Sequence, residues 1–213
     1  ASGEQLGNDV TVRPLSAAYN GRWVLPGSET GFFVSFARNL PGGKNADQDA
    51  ISRARANAPA DFQVLRGGAN LSRAFAADWQ WRANMNAQWA SSPLVSGEQF
   101  GVGGNASVRG FEERELSNDI GFQGNLEVYT PDLCAGVGAN CRVLGFYDFG
   151  ALKRNQPLPG ESASDHVASA GLGIRYVLGK RMTFQADYAK VVDPGTNSNR
   201  GAWKLHARVG FSF

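Results

Sequence analysis

The last eleven residues, WKLHARVGFSF, alternate in polarity. Trp203, Leu205, Ala207, Val209, Phe211 and Phe213 share one phase, and Lys204, His206, Arg208, Gly210 and Ser212 the other. Successive strand side chains point to opposite faces, so this is the pattern of a β-strand with one apolar side. RMTFQADYAK repeats it, opposing Met182, Phe184, Ala186 and Tyr188 to Thr183, Gln185 and Asp187. ASAGLGIRYVL and DWQWRANMNAQWA do the same, the latter setting Trp79, Trp81, Ala83, Met85, Ala87 and Trp89 against Gln80, Arg82, Asn84, Asn86 and Gln88. A soluble core would waste the polar face of such strands, whereas lipid outside and water inside suit both faces. The alternation predicts nine strands, near 10–24, 29–40, 60–76, 77–91, 119–130, 142–153, 166–179, 180–192 and 202–213. Most exceed the five or six residues usual in soluble sheets and reach the roughly ten needed to cross a bilayer at a barrel's tilt.

The connections between these strands alternate in length. They are short at 25–29, long at 41–59, almost absent at Ala76-Ala77, long at 92–118, medium at 131–141, long at 154–165, tight at Gly179-Lys180 and long at 193–200. Short periplasmic turns and long extracellular loops are the habit of outer-membrane barrels, and they place the C-terminus and the 131–141 connection on the periplasmic side. An odd strand count does not close a bacterial single-chain barrel, and an unpaired edge facing lipid costs several kcal/mol per group. Either the count is off by one or further strands precede Ala1, in which case residues 1–213 would be the C-terminal part of a larger barrel.

Composition agrees with this class. Charged residues make up 19 % of the 213, with 27 glycines and five tryptophans. A mean hydropathy of −0.30 without a run of about 18 apolar residues excludes a membrane-spanning helix but not a barrel. A net charge of +2, with no clustered lysines and arginines, argues against a nucleic-acid partner. Cys134 and Cys141 flank a glycine-containing loop that could close on a disulfide or hold free thiols, and a disulfide implies an oxidising compartment. The two cysteines and two histidines form no metal-ligand pattern, so no metal and no cofactor is expected.

The longest connection carries Gly97, Gly101, Gly103 and Gly104. A phosphate-binding loop would need a following Lys-Ser or Lys-Thr and a helix N-terminus, and neither is present, so the glycines are read as a bend that folds the loop back. Val108, Arg109, Gly110 and Phe111 follow. FGVGGNASVRGF, then NDIGFQGNLEVYTP, then FYDFG at 146–150 together resemble the transporters of two-partner secretion, the TpsB family, within the superfamily that includes the barrel-assembly protein BamA. The resemblance implies an all-β antiparallel transmembrane barrel of roughly sixteen strands, of which this chain would supply about the last nine, with a long loop folded inward. It implies that the loop-tip motif Val108, Arg109, Gly110, Phe111 enters the lumen. Arg109 is then expected to meet Asp148, within the motif Phe146, Asp148, Gly150. It further implies a bacterial outer-membrane location, amino-terminal POTRA domains outside this chain, a secreted TpsA-like exoprotein as partner, and barrel-assembly machinery that reads Phe211 and Phe213 as a C-terminal signal.

Elementary energetics give the pairing a reason. Asp148 shares its phase with Leu144, Phe146, Gly150 and Leu152; a carboxylate facing hydrocarbon is prohibitively placed, so it faces the lumen and needs a partner there. An arginine fork suits a carboxylate. Arg82, Gln123, Asn125, Glu127, Arg175, Asp187 and Arg208 are expected to line a wet pore of mixed charge. Glu112, Glu113, Arg114 and Glu115 read as a solvated run, with lumen contacts as the alternative, and Asp119 with Gly121 as a family-like Asp-x-Gly or, equally, a turn. Two other functions share parts of this pattern. A BamA- or TamA-like assembly factor shares the loop motif, and an outer-membrane enzyme would need a triad. His166, Asp165 and Ser164 are sequence neighbours that point apart on a strand, so they build none.

Overall fold

The computed structural model describes residues 9–196 and 198–212. Ten of the eleven strands span β1 (Pro14–Leu25), β2 (Ser28–Asn39), β3 (Gln63–Phe75), β4 (Trp79–Ala90), β5 (Phe100–Val102), β6 (Leu116–Asn118), β7 (Ile120–Tyr129), β8 (Ala139–Lys153), β9 (Ser164–Leu178) and β10 (Met182–Asp193); β11 covers Trp203–Phe211. Nine of them form one antiparallel sheet in the order β1-β2-β3-β4-β7-β8-β9-β10-β11, open at β1 and β11, and β5 pairs with β6 as a small hairpin.

Each strand carries the expected alternation. In β8, Leu144, Phe146, Asp148, Gly150 and Leu152 are buried, while Val143 and Tyr147 are exposed. On the opposite surface Trp23 stacks on Phe32 and Tyr188 on Trp203, with centroids 5.2 and 5.7 Å apart. Trp89, Leu126, Leu172 and Leu205 are also exposed on that surface. The strands meet at short turns at one end and long loops at the other. Gly171 of β9 shows how the inner wall is shaped: a Cβ there would strike the Tyr188 carbonyl and the Phe146 ring, so only glycine lets that ring lie flat on the wall.

Three features depart from the sequence reading. β1 begins at Pro14, not residue 10, because the chain before it pairs outward into a loop: Thr11 N–H donates to Asn45 O, and Val10 packs against the Ile51 cluster. A helix, α1 (Gln48–Ala54), stands in the β2–β3 loop, capped by Asp47, whose carboxylate accepts from Ala50 N–H at 2.8 Å. β8 begins at Ala139 and β9 at Ser164, extending that hairpin beyond both expected boundaries.

The long loops are tied to one another. Asp119, fully buried, accepts from Leu94 N–H (2.8 Å), Gln99 Nε2 (3.2 Å) and Asn155 N–H (2.7 Å), so of its two readings the turn gives way to a clamp on three segments. Glu161 accepts from Leu158 N–H, Arg55 and Arg154, each at 2.8 Å at its shortest. Its carboxyl is held below the usual range, first by the Leu158 N–H and then by Arg55. A depressed carboxylate contributes stability above its unfolded pKa and loses it as pH falls through the folded one. The protection factors of amides in residues 40–62 and 154–163, taken relative to the intrinsic exchange rate at each pH, should therefore fall as the medium is acidified below about pH 4. Protection factors unchanged down to about pH 3 would contradict this.

Candidate functional site

The segment between β4 and β7 turns back into the concave side of the sheet. Gly103 and Gly104 adopt φ of +115° and +99°, and a Cβ on Gly103 would meet the Glu112 carbonyl, so the bend needs glycine there. The β5–β6 hairpin closes its base. Val102, Val108, Phe111 and Leu116 of the loop pack with Leu152, Val167 and Val191 of the wall in one buried cluster. Val102 lies over Gly150, where an added Cβ would approach its Cγ1 at 2.7 Å; Gly150 is the opening the loop fills.

This seating delivers Arg109 to the wall. The residue is 4 % exposed and Asp148 is fully buried. Arg109 Nε donates to Asp148 Oδ2 and Nη2 to Oδ1, both at 2.7 Å, and the Arg109 backbone N–H reaches Oδ2 at 3.1 Å. The guanidinium lies over the Phe146 ring, 3.5 Å from its centroid. Its remaining nitrogen, Nη1, faces Glu127 Oε1 at 2.9 Å and Asp187 Oδ1 at 3.6 Å. Arg175 then grips Asp187 with two nitrogens at 2.8 and 3.0 Å, and Tyr129 donates to Glu127 at 2.6 Å. Three carboxylates thus surround two guanidiniums across β7, β8, β9 and β10. Ion pairs of this kind are weak sources of net stability, but removing one partner strands a buried charge.

The flanks of Arg109 are also held. Ser107 hydrogen-bonds Gln123, and Asn125 Nδ2 donates to Ser107 O at 2.5 Å. Gly110 N–H donates to His206 Nε2 at 3.3 Å, and Lys204 Nζ pairs with Glu112 at 2.6 Å. A motif of four residues therefore touches every strand from β7 to β11.

The profile of the haemolysin secretion/activation protein family ShlB/FhaC/HecB matches residues 9–176. The chain belongs to that family. Among solved structures, CdiB from Escherichia coli matches with a TM-score of 0.81 at 20 % identity, over 98 % of this chain and 38 % of that one. CdiB from Acinetobacter baumannii matches at 0.71 and 19 %, over 93 % and 33 %. At such identities the likeness is one of fold, and the chain spans between a third and two fifths of the CdiB chains it matches. No curated protein matches the chain.

Within this family member the remaining sequence-predicted residues fall as follows. Gln123, Glu127, Arg175 and Asp187 lie inward around the arginine, and Arg82 sits over the Tyr129 ring at 4.5 Å. Arg208 pairs across from Gln185, on the inward phase but outside the cluster. Cys134 and Cys141 are disulfide-bonded, 5.1 Å apart at Cα, and Asp132 accepts from both of their N–H groups. Those donors, Cys141 first, hold the Asp132 carboxyl below its usual range. Phe211 ends β11 on the exposed apolar phase; Phe213 lies outside the described residues. The run Glu112–Glu115 is not simply solvated: Glu113 accepts from Asn105 N–H, Arg114 donates to Gln99 O, and Glu115 accepts from Ser198. His166 faces Asp193 at 3.2 Å and Asp165 accepts from Thr196, so these residues assemble no triad.

Sequence reasoning did not foresee Glu127 and Asp187 as partners of Arg109, nor His206 and Lys204 as holders of the loop tip. The inward phase of all four was legible. Their convergence depends on strand register, which alternation does not reveal.

Proposed function

We propose that this chain is the C-terminal barrel portion of an outer-membrane transporter of two-partner secretion, which exports a large adhesin- or haemolysin-like exoprotein as an extended chain. The observation that carries the reading is the clasp of Arg109 by Asp148, Glu127 and Asp187. A loop of this length pinned to the inside of a strand wall fits a conduit, a geometry that an assembly factor would share. Membership of the haemolysin secretion/activation family supports export over assembly of other barrels. The exposed apolar face fits the outer-membrane bilayer, and the terminal aromatic strand fits recognition by barrel-assembly machinery.

The test is to express the full-length protein together with a candidate TpsA-like exoprotein from the same organism in a Gram-negative host that has neither. The partner should appear in the medium only when both are present. Partner retained in the periplasm, together with defects in other outer-membrane barrels when the protein is depleted, would replace this reading with an assembly role.

A further inference from the structure

The inner wall carries a second pattern that the arginine clasp does not use. β4 points Gln80, Arg82, Asn84, Asn86 and Gln88 inward, four neutral amides among five successive positions. Register sets Asn70 of β3 beside Asn84 on one side, with Asn125 of β7 on the other. Some of these amides are committed: Gln88 donates to Glu98 O and Asp119 O and accepts from Arg66, while Asn125 holds Ser107. Asn70, Asn84 and Asn86 make no side-chain hydrogen bond among the described residues.

Those three amides link a chain of adjoining hollows. A cavity of about 560 Å³ next to the β1–β2 turn contains Asn70 and Asn84, and one of about 310 Å³ contains all three. One of about 330 Å³ beside Arg109 contains Asn84 and Asn86, and one of about 340 Å³ reaching Gly97 and Gly101 contains Asn86. The groove therefore runs from the short-turn end to the long-loop end along β3 and β4. The folded-in loop packs on the wall of β7 to β11, and it reaches Arg66 of β3 and Gln88 of β4 through Glu98.

The spacing decides what fits. Inward residues on one strand recur every second residue, about 6.6–6.8 Å apart, which is the repeat at which an extended polypeptide presents its peptide groups to one side. A carboxamide carries the same carbonyl acceptor and N–H donors as a peptide, so it can bond the main chain of any sequence. Such bonds exchange with water at little net gain, and a conduit needs many weak equivalent sites that a moving chain can leave. Charged groups border the same hollows, Glu29 and Arg82 towards the β1–β2 turn and Arg66 and Glu98 towards the long loops, and the three amides are the neutral stretch between them. We infer that Asn70, Asn84 and Asn86 form a track for the main chain of an extended polypeptide, recognised through its peptide groups. This rests on the export reading.

The experiment uses the full-length protein and its exoprotein, stalled in transit by a tightly folded domain fused to its C-terminus. A photoreactive residue is placed in turn at positions 84, 86, 208 and, facing outward, 85. Cross-links to the stalled exoprotein are expected at 84 and 86 and not at 85. Replacing Asn70, Asn84 and Asn86 together by leucine should slow export at least about fivefold, the scale of one lost hydrogen bond. Serine at the same positions should restore most of the rate, and heat-modifiability should show both variants inserted. Cross-links at 208 without any at 84 or 86, or wild-type export by an inserted leucine variant, overturn the track while export stands. If the unaltered pair exports nothing and traps no stalled chain, the export reading fails and the track falls with it.

Discussion

Arg109→Ala in the full-length protein is expected to abolish export of the exoprotein while the barrel still inserts. The substitution leaves Asp148 fully buried with no cation at hydrogen-bond distance, and it removes Nη1 from between Glu127 and Asp187. Breaking a buried pair by deleting one member costs about 3–5 kcal/mol, far more than the intact pair is worth against apolar residues. That penalty falls on the seat of the loop and not on the strand ladders, whose backbone pairing does not involve Arg109. Arg109→Lys should fail nearly as badly, because an ammonium cannot bond both Asp148 oxygens in the plane of a fork and covers the Phe146 ring poorly. Exoprotein in the medium and heat-modifiable migration of the barrel are the two readouts. Unchanged export by an inserted Arg109→Ala protein would remove the clasp from the mechanism.

Asp148→Ala should be the next most damaging change. It removes three hydrogen bonds from Arg109, including the one to its backbone N–H, and leaves a buried guanidinium short of acceptors. Glu127 at 2.9 Å remains as a partner, so the arginine keeps part of its compensation and the defect should be somewhat milder than that of Arg109→Ala. The double variant is the decisive measurement. Residues that act as one unit show strong non-additivity, so Arg109→Ala with Asp148→Ala should be no worse than Arg109→Ala alone. Limited proteolysis of residues 100–118 in outer-membrane vesicles reports loop seating directly, and it should rise to the same level in both. Losses that simply add would show that the two side chains act separately.

Much of this architecture is legible in the alternation of residues. Trp203 to Phe211 and Trp79 to Trp89 show two faces of opposite polarity, and the structure gives them one exposed apolar and one inward polar surface. Strand ends were less legible where loops compete for the chain. Residues 10–13 alternate like the strand that follows, yet they are drawn into the cap built around α1 and Ile51. The Asp47 cap was the available signal for α1, but a helix of seven residues between glycines and prolines gives too short a period to stand out.

The site divides in the same way. An acid at position 148 on the inward phase of a membrane strand requires a partner, and that requirement follows from the cost of burying charge, whatever the fold around it. Alternation with period two likewise determined that Glu127, Arg175, Asp187 and His206 face the lumen. Only the tertiary structure decided that Glu127, Asp187 and His206 meet one loop, with Arg175 joined to it through Asp187. Facing is a property of a single strand, whereas convergence depends on the register between strands and on the bend at Gly103 and Gly104 that carries Arg109 back across the sheet. Those are long-range pairings, set by the joint free energy of many contacts, and no local pattern of residues encodes them.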